Sequence, residues 1–109
     1  MLQRTFTHDG QAYRIELSTY SYRLYRLEPM TVWEGALGLA AMGIEPTTYR
    51  AIALDSAVLR AALDTLAADS YRRLRLTHSA AIDRMIERLA GRELPCATLL
   101  AAKQKLNLI

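Results

Sequence analysis

The residues able to do covalent chemistry are few. Cys96 is the single cysteine, and it follows Pro95 at a predicted helix start, where backbone N–H groups and the helix dipole lower a thiol's pKa. A working thiolate also needs an oriented base, and nothing near it in sequence supplies one. His8 sits beside a turn and His78 just ahead of a helical segment. The preferred reading of Cys96 is therefore a small buried side chain, the usual fate of a free cysteine. One cysteine and two histidines at positions 96, 8 and 78 show none of the close spacings of zinc sites. Glycines at 10, 35, 38, 43 and 91 form neither a Walker loop nor a dinucleotide fingerprint. The expectation is a chain with no catalytic residues, no metal and no cofactor.

Two patterns could serve binding. The first is the weave Tyr20-Ser21-Tyr22-Arg23-Leu24-Tyr25-Arg26. On a sheet, alternation would turn at least one Tyr and one Arg away from the covered face. Both residue types are enriched at interface hot spots, and the pair can also stack on unpaired bases. Tyr20, Tyr22, Arg23, Tyr25 and Arg26 are thus candidate partner-binding residues, the competing reading being a strand whose tyrosines pack in the core.

The second pattern is a basic face. Arg72, Arg73 and Arg75 precede a segment from Ser79 that carries Arg84 and Arg88. As a helix-turn-helix over residues 71–90, the segment from Ser79 would enter the groove while the first three arginines met phosphates. Over about a dozen residues that segment is similar to the recognition helices of winged-helix regulators. It departs from them in three ways: no compact helix with a tight turn precedes it, no strand hairpin follows Leu94, and Asp83 and Glu87 stand among the presumed contacts. Arginines alternating with acids also describe an ordinary solvated helix face, which is the preferred reading.

The elements that must position these residues are legible in outline. Asp9-Gly10 is a hairpin-turn signal between two segments of alternating polarity, with Leu2, Phe6, Tyr13, Ile15 and Leu17 among the apolar positions. A third strand is expected over Tyr20–Leu27, where Tyr22 and Leu24 take one parity and Tyr25 and Leu27 the other. Either both faces are partly covered or a bulge shifts the register. Thr31-Val32-Trp33-Glu34 has the form of a capping box, and Val32, Trp33, Ala36, Leu37 and Ala40 recur at helical spacing up to Gly43. That helix is expected to be buried on the hairpin, with Gly35 and Gly38 allowing close approach. Residues 44–54 fit a short helix opened by Pro46 or an edge strand, and the helix is preferred. Strong helices are predicted from Asp55-Ser56 onward, over Ser79–Ala90 and after Leu94-Pro95, with Asp69-Ser70 either a break or a tolerated polar pair.

The architecture expected is α+β: a small N-terminal antiparallel hairpin or three-stranded sheet in residues 2–28, packed against about four helices in 31–109. A length of 109 residues fits a single domain able to bury a core without disulfide or metal. With 51% hydrophobic and 23% charged residues, the composition is that of a globular chain and not a disordered one. Met30 to Ile44 is the most apolar stretch, but it contains Glu34 and falls short of the ~20 residues that span a bilayer, so no membrane is expected. The start of the chain lacks a signal-peptide pattern and the lone cysteine gives secretion no support, so the cytoplasm is the default. The net charge of +3 lies wholly beyond Leu54, where nine cations face six acids. Such an excess permits a polyanionic partner without requiring one.

With no catalytic site visible, the function expected is non-catalytic binding: a small adaptor or inhibitor docking on a larger protein or nucleoprotein assembly. A nucleic-acid-binding regulator using the basic face is the alternative, and a small enzyme using Cys96 comes third. An exposed edge strand would also permit a homodimer.

Overall fold

The Asp9-Gly10 turn does what its residue types require. Both residues have positive φ, 50° and 75°, the left-handed geometry of a two-residue hairpin loop. It joins β1 (Leu2–His8) to β2 (Gln11–Leu17), with Phe6 opposite Tyr13 and Leu2 opposite Leu17. β3 (Tyr22–Pro29) returns antiparallel, Leu24 opposite Ile15 and Tyr22 opposite Leu17. β4 (Thr47–Ala51) pairs with the other edge of β3, so the chain forms a four-stranded antiparallel meander in the order β1-β2-β3-β4. Helices α1 (Ala36–Ala41), α2 (Ser56–Thr77), α3 (Ser79–Ala90) and α4 (Cys96–Lys105) complete an α+β fold. This computed structural model describes residues 1–53 and 55–105 and, for side chains, leaves out 69–76.

One face of the sheet holds the core. Phe6, Tyr13, Ile15, Leu17 and Leu24 are buried there against Val58, Leu59, Ala62, Leu63 and Leu66 of α2 and Ala81, Ile82, Met85 and Ile86 of α3. α2 lies against β1 and α3 against β3. Burial of a Leu- or Ile-sized side chain contributes about 1.5–3 kcal/mol, so this layer supplies most of the driving force. Asp55 caps α2, its Oδ1 accepting from the N–H groups of Ala57 (2.9 Å) and Val58 (3.2 Å). The helix continues through 69–70 without a break. Only His78 separates α2 from α3, and Gly91, with φ 76°, ends α3 in the left-handed conformation. α4 is tied to α3 by Lys103 Nζ at 2.6 Å from Asp83 Oδ1.

Two expectations need correction. Residues 47–51 are a strand and not a short helix: they pair with the otherwise open edge of β3, and Pro46, lacking an N–H, stands outside the ladder while its carbonyl accepts from Met30 N at 2.7 Å. The sheet therefore has four strands instead of two or three. The predicted helix over 31–43 is not buried either. It is split at Gly35, φ 96°, into a 3-10 turn (Val32–Glu34) and α1, and neither contains a buried residue. The apolar face it was expected to cover is already filled by α2 and α3. A Cβ at Gly35 or Gly38 would meet nothing within 4 Å, so these glycines serve no close packing. The third strand keeps a regular register without a bulge, and half-buried Tyr25 and Leu27 show that both sheet faces are partly covered.

Candidate functional site

Residues 30–46 form an arm between two strands that pair with each other. Trp33 is 97% exposed, and Val32, Leu37, Met42 and Ile44 are each about half exposed or more. Val32, Trp33 and Leu37 are among the residues that periodicity marks as core. The available signal was that 30–44 is apolar on nearly every side, with only Glu34 charged, so no polar face exists for a surface helix to show solvent.

The arm is held at its root by charge. Glu34 Oε1 accepts from Thr31 N at 2.9 Å, the returning half of a capping box. Arg50, in β4, donates Nη1 to Glu34 Oε2 at 2.9 Å and Nη2 to Glu34 Oε1, and Nη2 also reaches the Pro29 carbonyl at 3.2 Å. Its Nε lies 3.2 Å from Glu28 Oε2, and Glu28 also accepts from Arg26 Nε at 2.8 Å. The Arg50 hydrogen bonds, followed by the Thr31 N–H, lower the Glu34 pKa to about 2. The same bond with Glu34 raises that of Arg50.

The Tyr-Arg weave is divided by the sheet. Tyr22 shares the core-side face with Leu24 and is half-buried, while Arg26 on that parity is engaged by Glu28. Arg23 and Tyr25 lie on the opposite face. There the Arg14 guanidinium sits between two rings, 4.8 Å from the centroid of Tyr25 and 4.7 Å from that of Tyr49. Tyr25 thus has an internal role. Arg23 is exposed, and Tyr20, just outside the strand, is 68% exposed.

Of the basic face, Arg72, Arg73 and Arg75 lie outside the described residues. Arg84 and Arg88 project from the solvent side of α3, opposite its buried Ile82, Met85 and Ile86. The single residue between α2 and α3 is shorter than a helix-turn-helix turn, and α4, not a strand hairpin, follows α3. What the structure adds is Arg92. It lies beyond the Gly91 stop, where helix-based reading does not look, yet with Arg84 and Arg88 it continues an every-fourth-residue series. Together with Tyr22, Ser21 and Glu87 these arginines line a concavity of about 440 Å³. Among the described residues, Arg84, Arg88 and Arg92 form no ion pair, whereas Arg14, Arg26, Arg50, Arg60 and Lys103 all do. Burial raises the pKa of the Tyr22 hydroxyl while the Arg88 charge opposes that shift.

Cys96 is exposed, contrary to the buried side chain expected, because the first turn of α4 turns outward and contains no buried residue. His78 is engaged elsewhere, with Nδ1 at 3.0 Å from the Ser18 carbonyl oxygen. Among the described residues no group of three or more His, Cys, Asp or Glu is placed to hold a metal ion, and no helix is long and apolar enough to cross a membrane. Comparison with protein-family models, with curated proteins and with solved structures finds no match to this chain.

Proposed function

We propose that this protein is a non-catalytic adaptor or inhibitor that docks on a larger protein or nucleoprotein assembly through the apolar arm of residues 30–46. The observation that carries this reading is the exposure of Trp33 together with Val32, Leu37, Met42 and Ile44 on one projecting segment. Single exposed apolar side chains are ordinary, but a contiguous group marks an interaction site. Tryptophan is among the residue types enriched at binding hot spots. The ion-pair root supports the reading further, since an arm whose base is fixed loses less conformational freedom on binding. The partner implied presents an apolar groove that receives the Trp33 indole. The lone, unpaired cysteine favours a reducing compartment, the cytoplasm.

The test is affinity capture with the intact chain beside a variant carrying Trp33→Ser, Leu37→Ser and Met42→Ser, its fold checked by circular dichroism. Proteins retained by the parent and lost by the variant are expected. Retention of the same set by both, or of none by the parent, would overturn the reading. Sedimentation of the parent alone would show whether the arm instead joins two copies.

A further inference from the structure

We propose that the concavity formed by Arg84, Arg88, Arg92 and Tyr22 binds a phosphate group. This site lies at the Tyr22 end of β3, and the arm leaves from the Pro29 end, roughly 20 Å away at the ~3.3 Å rise of a strand. The inference is therefore independent of the docking role proposed for the arm.

Three arginines without a carboxylate partner among the described residues line one open depression, against a single acid, Glu87. Arginine prefers to satisfy its planar fork on paired oxygens, and exposed arginines left without one are available to a ligand. A carboxylate has two oxygens and satisfies one fork. A phosphate offers four tetrahedral oxygens, two of them terminal even in a diester, and so can accept from several forks and from a hydroxyl together. The Tyr22 hydroxyl, whose pKa burial raises, is a donor beside the arginines. A neighbouring depression is lined by Asp83, Glu87 and Glu93 beside Arg84, so acids outnumber arginine there. An anion is thus favoured on the Tyr22 side. Arg84 and Arg88 are four residues apart, about 6 Å along the helix, so they can grip one phosphate or two successive ones.

The source of the phosphate separates by experiment. Binding of tripolyphosphate, of a nucleoside monophosphate and of a single-stranded oligonucleotide would be measured by calorimetry against the intact chain, with a glutamate-rich peptide as the carboxylate control. At least one phosphate ligand is expected to bind, and Arg88→Gln or Arg92→Gln to weaken it tenfold or more. These exposed substitutions leave the core untouched, and thermal melting confirms the fold. If the oligonucleotide binds best and its salt slope falls by about one per arginine removed, the ligand is a diester backbone. If the small ligands bind and the oligonucleotide does not, it is a terminal phosphate. Absence of binding by every phosphate ligand, binding unaffected by both substitutions, or a preference for the glutamate peptide would each overturn the proposal.

Discussion

Arg50 of β4 grips both carboxylate oxygens of Glu34, joining the sheet to the arm across sixteen positions of sequence. With its pKa at about 2, Glu34 remains ionised throughout the ordinary pH range. A carboxyl group lowered on folding stabilises the folded form above its unfolded pKa, near 4.5, and loses that contribution as pH falls through its folded value. The arm root should therefore hold at neutral pH, weaken below about pH 4.5 and be released near pH 2. Amide exchange of residues 31–43, followed against pH, checks this, and Arg50→Ala should return the Glu34 titration towards that of an ordinary glutamate.

Core and arm should respond oppositely to truncation. Leu59 is fully buried, and Leu59→Ala is expected to cost about 2–5 kcal/mol. Trp33→Ala removes a larger side chain but should stay within about 0.5 kcal/mol, because nothing in the folded chain covers it. Chemical denaturation of both variants makes the comparison. A large loss from Trp33→Ala would mean that the indole packs within the chain.

His78 fastens the α2–α3 junction to the β2–β3 turn. Facing a carbonyl oxygen at 3.0 Å, Nδ1 must carry the proton and donate it to Ser18. Removal by His78→Ala should destabilise the chain by about 1 kcal/mol, the usual net worth of such a bond, and His78→Gln should recover part of the loss. Equilibrium unfolding measures both.

Arg14 between Tyr25 and Tyr49 couples β2, β3 and β4 on the face away from the helices. A double-mutant cycle with Arg14→Met and Tyr49→Leu should show a coupling of about 0.5–1 kcal/mol. A coupling of zero would leave the arginine as mere surface charge.

How far these features can be read from sequence depends on whether the deciding contact is local. The first hairpin is legible because Asp9-Gly10 sets its own backbone, and α3 because Ile82, Met85 and Ile86 fall on one side of a 3.6-residue period. β4 is obscured because Pro46 favours a helix start, while the reason for a strand, the open edge of β3, lies twenty residues away. The arm is misread because hydrophobic spacing reports that a surface wants cover and not whether the same chain provides it. Arg84 and Arg88 stand out on their helix, whereas Arg92 joins them only through the turn after Gly91. Tyr22 joins them only through the packing of β3 on α3.

Met30 and Pro46 meet in one hydrogen bond of 2.7 Å at the base of the arm, so the segment leaves the sheet and rejoins it side by side, with Glu34 tied to Arg50 just beyond. The pairing of β3 with β4 then constrains only the ends of that segment, and even doubling the length of such a loop costs about 0.6 kcal/mol in closure entropy. The arm is in effect a cassette: its contents can be exchanged, lengthened or cut back to a short turn while the sheet keeps its register. A change of partner in such a chain would require rewriting one loop and none of the core.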